Sequence, residues 1–380
     1  MKKIYWCIQQ LNNIGGTEMV TLQIIKMLEN DYEIHLIPFS KIDTNNIHYN
    51  LPKNIILEDI NFKDEISQFS LYFSKKIQSK NYLKAFKLLF SCFNEYVIKR
   101  RKWRKILENI SSNNDIFVFS SQELLAFGPK NRFIVQHFHF NSKLYNSFTS
   151  KMLRLISKKP NYYIFLSEST KENIDPKNKL KSSVIYNPSR FIRKESYEYH
   201  NNTLISVCRF EDQKNPMLLL KIAHELDKRN FKYTFNIYGS GSLKLKMEKY
   251  IKKYSLSNVN LISGITNLEP YYLNSDLYII TSKFEGFPLT VIEATSLSIP
   301  IIWKEMKDPT KSIMKEDING YIIDSNNPSL FADKIIEILS NKEKLKKLKE
   351  TTYESSSIYE EKNIENKWKE LFCNLFNLIK

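Results

Sequence analysis

The run Leu277–Pro300, LYIITSKFEGFPLTVIEATSLSIP, leaves this chain few folds to choose from. Leu277–Ile280 is a short apolar run of β-forming residues, the pattern of a strand covered on both faces in a parallel sheet. A polar turn, Thr281-Ser282-Lys283, leads through Phe284–Phe287 to Pro288. Proline suits the first turn of a helix, where its missing N–H would go unpaired in any case. The helix expected over Leu289–Leu297 is apolar on nearly every side, which marks it as covered. Glu293 breaks that pattern. A carboxylate between Ile292 and Ala294 needs a partner, either an internal salt bridge or the paired hydroxyls of a bound polyol such as a ribose. Gly286, Phe287 and the free amides of the helix start read either as a nest for a phosphate or sugar oxygen, or as a plain surface turn carrying Glu285.

A chain of 380 residues, 42% hydrophobic and 26% charged, is long enough for two ordinary domains with separate cores. Its formal charge of +16 favours anionic partners: nucleic acid, phosphorylated metabolites or an anionic membrane surface. Lysine, asparagine and isoleucine are all abundant, which fits a compositional bias of the source and weakens the charge as functional evidence. Cys7, Cys92, Cys208 and Cys373 show no paired spacing, which fits a reducing compartment and argues against a zinc site. The apolar run after Met1-Lys2-Lys3 is interrupted too soon by Gln9-Gln10 for a signal peptide, and no stretch reaches spanning length. A cytoplasmic protein is expected, with contact to the cytoplasmic face of the plasma membrane left open.

Taken in order, Ile4–Ile8 reads as a strand, Gly15-Gly16 as a sharp turn, Thr17 as an N-cap and the following stretch to Glu29 as a helix. Glu33–Phe39 is the next strand, so the chain opens with a βαβ unit that lacks a full GxGxxG pattern. Further strands are expected at Ile55–Ile60, Asp115–Ser120, Arg132–Phe138, Tyr162–Ser167 and Ser183–Tyr186, with a helix over 141–157. Residues 62–110 are helical in pattern, rich in aromatics and lysines, and end in Lys99-Arg100-Arg101-Lys102-Trp103-Arg104-Lys105. That segment reads either as a basic amphipathic surface with an interfacial tryptophan or as ordinary packing helices with a solvated basic end. A linker over 191–202 separates a first domain (1–190) from a second (203–360), and helix 361–380 is expected to pack back on the first.

In the second domain Arg209 and Lys214 follow the strand Thr203–Val207 and can neutralise phosphate oxygens, one as a fork and one as a point charge. The alternatives are pairing of Arg209 with Glu211 or Asp212 and solvation of Lys214. Gly239 and Gly241, after the strand Tyr233–Tyr238, permit close backbone approach. His137, at a strand's carboxyl end, is a site candidate, with His139 two residues on and simple packing as the alternative.

These pieces together resemble the family-4 glycosyltransferases, retaining enzymes of the GT-B fold. Glu285-Gly286-Phe287-Pro288-Leu289-Thr290-Val291-Ile292-Glu293 is similar to that family's pair of glutamates separated by seven residues. Arg209…Lys214-Asn215-Pro216, Tyr238-Gly239-Ser240-Gly241, the strand Val259 to Gly264, Ile185-Tyr186-Asn187-Pro188 and Gly15-Gly16-Thr17-Glu18 match further family elements in order. The resemblance implies two Rossmann-like domains facing a cleft and a nucleotide-diphosphate sugar, UDP-linked, as donor, with no essential metal. It implies a glycan or lipid-linked saccharide as acceptor. By the same resemblance Arg209 and Lys214 would grip the diphosphate, Glu293 the ribose, and Glu285 with Gly286, Phe287, Pro288 and Leu289 the sugar and its phosphate. Gly15 and Gly16 would approach from the first domain, His137 would lie near the transferred sugar, and Ile265, just past Gly264, would join the donor contacts. An epimerase or phosphorylase on the same scaffold is the alternative within enzymes. A nucleic-acid-binding protein would use the charge, but the lysines are spread through helices rather than gathered with stacking aromatics, and no nucleic-acid partner is expected.

Overall fold

The computed structural model describes residues 1–11, 15–40, 51–58, 60, 100–139, 157–306 and 310–379. Two all-parallel sheets organise them. The first has seven strands in the order β3-β2-β1-β4-β5-β6-β7: β1 (Lys3–Ile8), β2 (Glu33–Pro38), β3 (Ile55–Leu57), β4 (Ile116–Phe119), β5 (Phe133–His137), β6 (Tyr162–Phe165) and β7 (Ser182–Val184). The second has six in the order β10-β9-β8-β11-β12-β13: β8 (Thr203–Val207), β9 (Thr234–Tyr238), β10 (Val259–Ile262), β11 (Leu277–Ile280), β12 (Ile301–Lys304) and β13 (Gly320–Ile323).

Each order reverses once, between β1 and β4 and between β8 and β11. A crevice opens outside the carboxyl ends of strands at such a reversal, so ligands of these sheets bind there. Of the strands that flank the reversals, β4 and β11 are buried at every position, as strands covered by helices on both faces must be.

Several boundaries differ from the sequence expectation. The first helix runs Gly16–Leu28 with Gly15, not Thr17, as its cap residue, because the glycine turn leads directly into helical backbone. The strand expected to reach Ile60 stops at Leu57. The helix after β11 runs Leu289–Ser296, with Pro288 extended at its cap position rather than inside its first turn. The helix expected over 361–380 runs Glu361–Ile379, preceded by a separate helix Lys342–Ser355 and a 3₁₀ turn at Ser356–Tyr359. The helix expected over 141–157 and most of the segment 62–110 lie outside the described residues.

The part of that segment from 100 to 110 is described, and 100–109 is helical. Trp103 is only 4% exposed and stacks on Phe39 with ring centroids 4.8 Å apart, in a core cluster that includes Phe117, Phe119 and Phe127. Of the two readings of the basic stretch, Trp103 follows the packing one. Its neighbours Arg100 and Arg104 donate to the carbonyls of Ala126 and Gly128.

The final helix, Glu361–Ile379, returns to the first sheet. Ile364, Trp368, Phe372, Leu375 and Phe376 join Ile4, Trp6, Ile25 and Leu28 in one cluster. Between the sheets, the chain is tied at Ser189, whose N–H donates to the Tyr359 carbonyl and whose own carbonyl accepts from Gln23 Nε2. Arg193 braces the same junction through Ser356 Oγ, the Tyr353 carbonyl and Glu360. No helix among the described residues is long and apolar enough to cross a membrane.

Candidate functional site

Lys214 and Glu285 come together at the reversal of the second sheet. The chain leaves β8, turns through the 3₁₀ segment Asp212–Lys214, passes Asn215 in left-handed backbone (φ 51°) and enters the helix Pro216–Lys228. The loop after β11 is laced to this turn. Lys283 N–H donates to the Gln213 carbonyl, Gln213 Nε2 to the Phe284 carbonyl, and Thr281 Oγ1 to the carbonyls of Lys214 and Asn215. The lacing brings Lys214 Nζ to 2.5 Å from Glu285 Oε1, which also accepts from Ser282 Oγ at 2.6 Å. Glu285 is 6% exposed, so its charge is balanced by that lysine rather than by bulk water. A crevice of about 10 Å³ lies beside the pair, walled by Ser206, Cys208, Ser282 and Thr290.

Glu293 sits one helical turn beyond Thr290 and is 4% exposed. It has an internal partner: Arg190 Nε lies 2.8 Å from Oε1, and Arg190 Nη2 and the Tyr272 hydroxyl each donate to Oε2 at 3.2 Å. Burial pushes the Glu293 pKa up, while Arg190 and the Tyr272 hydrogen bond pull it back down. Tyr272 also donates to the Thr290 carbonyl, and Tyr278 bonds Thr290 Oγ1 and the Val207 carbonyl, so the hydroxyls of two buried tyrosines connect the glutamate helix with the end of β8. Glu293 faces a larger cavity, about 390 Å³, between the first helix and the glutamate helix, lined by Met19, Gln23, Lys26, Arg190, Leu289 and Glu361 among others.

The expected constellation is therefore only partly assembled. Lys214 and Glu285 share one crevice, and Glu293 opens onto another. Arg209 is exposed and makes no salt bridge among the described residues; Glu211 instead accepts from Ser242. Gly239 (φ +149°) and Gly241 (φ +153°) serve a close approach within the protein: a Cβ on Gly239 would lie 1.9 Å from the Cys208 carbonyl oxygen, and one on Gly241 2.6 Å from that of Phe210. Phe287 turns its ring inward, stacked on Tyr186 at 5.8 Å, with Gly286 before it half-buried and Pro288 after it buried. Ile265 is 36% exposed in the loop after β10. In the first domain Gly16 meets the second directly, since a Cβ there would stand 3.2 Å from Leu289 Cδ1. Gly15 leaves room for the carboxylate of Glu18, which a Cβ would approach to 2.2 Å.

His137 has its ring completely buried between Trp6 and Trp368, and it lines neither of the two cavities described. Burial holds its pKa well below the usual histidine range. Its Nδ1 lies 3.1 Å from Nε2 of His139, the more exposed of the two, whose pKa desolvation lowers to about 3. A strand end of alternating residues sends His137 and His139 to the same side, but the tryptophan of the final helix covers only the first. That covering residue is more than two hundred positions away in sequence, so no local signal announced it.

Sequence reasoning also passed over Arg190, Tyr272 and Ser282. Arg190 follows the Asn187-Pro188 element by two residues, and the need of Glu293 for a cation was the signal that could have led to it. Among the described residues no group of three or more His, Cys, Asp or Glu side chains is placed to hold a metal ion.

Residues 189–355 match the family model described as Glycosyl transferases group 1. The chain is 24% identical over 385 residues to an uncharacterized glycosyltransferase of Haemophilus influenzae, covering 97% of this chain and 99% of that one. It is 29% identical over 171 residues to the amylovoran biosynthesis glycosyltransferase AmsD of Erwinia amylovora, which covers 45% of this chain and about half, 48%, of AmsD. The crystal structure of a mutant S. aureus TarM in complex with Fondaparinux, alpha-GlcNAc-glycerol and UDP superposes with a TM-score of 0.75 at 18% identity, over 99% of this chain and 100% of that one. The shared architecture is the GT-B fold.

Proposed function

With residues 189–355 matching the glycosyl transferases group 1 family, we propose that the protein is a retaining glycosyltransferase that moves a hexose or N-acetylhexosamine from a UDP-linked donor to a hydroxyl of a lipid-linked saccharide or another surface-glycan precursor. The observation that carries this reading is the Lys214–Glu285 pair, 2.5 Å apart at the reversal of the second sheet and next to the start of the glutamate helix. The UDP in the TarM complex and the biosynthetic name of AmsD support the choice of donor and acceptor class.

In this reading the diphosphate lies over the helix start at Pro288–Thr290, where the first amides have no intrahelical partner. Lys214 and Arg209 neutralise the charge that builds on the leaving diphosphate. Glu285, parted from Lys214 by the incoming donor, accepts hydroxyls of the sugar, and Glu293 accepts those of the ribose. The anomeric carbon–oxygen bond to the diphosphate breaks as the acceptor oxygen attacks from the same face. The acceptor proton passes to a diphosphate oxygen, so the products are the glycoside and the nucleoside diphosphate, and no covalent enzyme intermediate is needed. His139, the more exposed of the pair it forms with His137, lies near the transferred sugar. The two domains, 1–190 and 203–360, close on the donor about the linker 191–202, and the cytoplasmic face of the plasma membrane is where such acceptors are met.

The test is a panel of UDP-, GDP- and ADP-sugars with the purified protein, reading nucleoside diphosphate release with and without lipid extract. Turnover of a UDP-sugar that lipid extract stimulates is expected. Absence of binding and turnover for every donor sinks the reading.

A further inference from the structure

Resting on the reading that Glu293 holds the donor ribose, we infer that Arg190 is a positioning residue for the donor: its guanidinium fixes the buried Glu293 carboxylate in one orientation, ionised and ready to accept a hydroxyl. The geometry is that of a clamp. Nε addresses one carboxylate oxygen at 2.8 Å and Nη2 the other at 3.2 Å, while the Tyr272 hydroxyl shares the second oxygen. A carboxylate offers about four lone-pair sites. Three donors therefore leave one site for a ribose hydroxyl with Arg190 still in place.

Arg190 is itself held. Its guanidinium lies 4.7 Å from the centre of the Phe191 ring, and the preceding Ser189 is bonded to Tyr359 and Gln23. The clamp thus stands where the first helix, the start of the linker and the 3₁₀ turn Ser356–Tyr359 meet, in the wall of the 390 Å³ cavity. The groups that face Glu293 are Arg190 from the segment just before the linker, Tyr272 from the helix Glu269–Leu273 and Tyr278 from β11, with Lys26 of the first helix and Glu361 of the final helix across the cavity. Arg190 alone among these brings a positive charge into contact with the carboxylate.

Without that cation, only the Tyr272 hydrogen bond still opposes burial, and the Glu293 pKa rises further. A protonated carboxyl has lost acceptor capacity, so donor binding must then weaken as pH falls and recover as pH rises through the raised pKa. The experiment is calorimetric titration of wild type, Arg190→Met, Arg190→Lys and Glu293→Gln with UDP, GDP and ADP, using the tightest of the three as probe, across about pH 6 to about pH 9. Arg190→Met is expected to raise Kd at least about tenfold, the worth of one charge-assisted hydrogen bond, with the gap widening toward the acid end. Arg190→Lys should recover most of the affinity, and Glu293→Gln should bind weakly with no such pH dependence. In turnover the loss should appear in donor KM more than in kcat. Arg190→Gln, which keeps hydrogen bonding without charge, replaces the methionine variant if that one does not fold. A wild-type Kd and pH profile in the arginine variants, with Glu293→Gln impaired, overturns the inference and leaves the donor reading standing. Wild-type binding by Glu293→Gln, or no nucleotide binding by the wild type, overturns both.

Discussion

Replacing Lys214 by alanine puts the proposed chemistry to its most direct test. Lys214 Nζ stands 2.5 Å from a carboxylate oxygen in a crevice of about 10 Å³, so it is already fixed and largely withdrawn from water. A phosphate oxygen entering that crevice would meet the ammonium at close range. Two unit charges about 4 Å apart interact by about 4 kcal/mol at an effective dielectric of about 20. If that support is felt mainly as charge develops on the leaving diphosphate, its loss should slow turnover by about 10³, in line with removal of one preorganised donor elsewhere. The assay is initial-rate release of nucleoside diphosphate from the preferred donor, beside thermal melts of the same samples. The alanine variant also leaves Glu285 with Ser282 but without its cation, so a modest loss of stability, about 1–3 kcal/mol, is expected. The double variant Lys214→Met/Glu285→Gln separates the two effects: it should regain stability and not turnover. A folded Lys214→Ala protein working within about threefold of wild type would remove Lys214 from the mechanism.

Three further predictions concern the scaffold around the site. Gly239→Ala places a Cβ 1.9 Å from the Cys208 carbonyl oxygen at φ +149°, so it should cost on the order of 1–3 kcal/mol and lower the melting temperature; an unchanged melt would refute the close approach. Trp103→Ala removes a buried ring stacked on Phe39 and should cost about 3–5 kcal/mol in urea unfolding, whereas a loss under about 0.5 kcal/mol would place Trp103 at the surface. Lys349 and Asp276 form an ion pair at 3.4 Å with both side chains fully buried. Lys349→Met should cost about 3–5 kcal/mol and Lys349→Met/Asp276→Asn distinctly less; equal costs for the single and double variants in a double-mutant cycle would deny the pair.

What the sequence disclosed follows how local each signal is. The strand Leu277–Ile280 and the apolar helix after it were legible because burial on both faces leaves an unbroken run of β-formers, then a helix without a polar face. Gly239 was legible as a close approach, but the approaching partner was not: the Cys208 carbonyl is brought in by the pairing of β8 with β9. His137 could be placed at a strand end from its own neighbours, whereas the ring that buries it belongs to Trp368 on the final helix. Trp103 shows the same limit. Its basic flanks suggest an interface, and its contact with Phe39 depends on a fold in which the two stretches are neighbours.

The separation of the two glutamates gains meaning from what lies between them. Glu285 precedes the helix Leu289–Ser296 and Glu293 lies in its second turn, so the free amides at the helix start fall between the two carboxylates. A ligand that touches both must lie across that start. The sugar end would then meet Glu285 and Lys214, the phosphates the amides, and the nucleoside end Glu293 and the cavity beyond. The first domain already reaches this spot, because a Cβ on Gly16 would stand only 3.2 Å from Leu289. A side chain at position 16 would crowd Leu289 at the start of that helix. One helix start thus organises the proposed site. In that arrangement Lys214 stands beside Glu285 and Gly16 beside Leu289, at the two sides of the helix start.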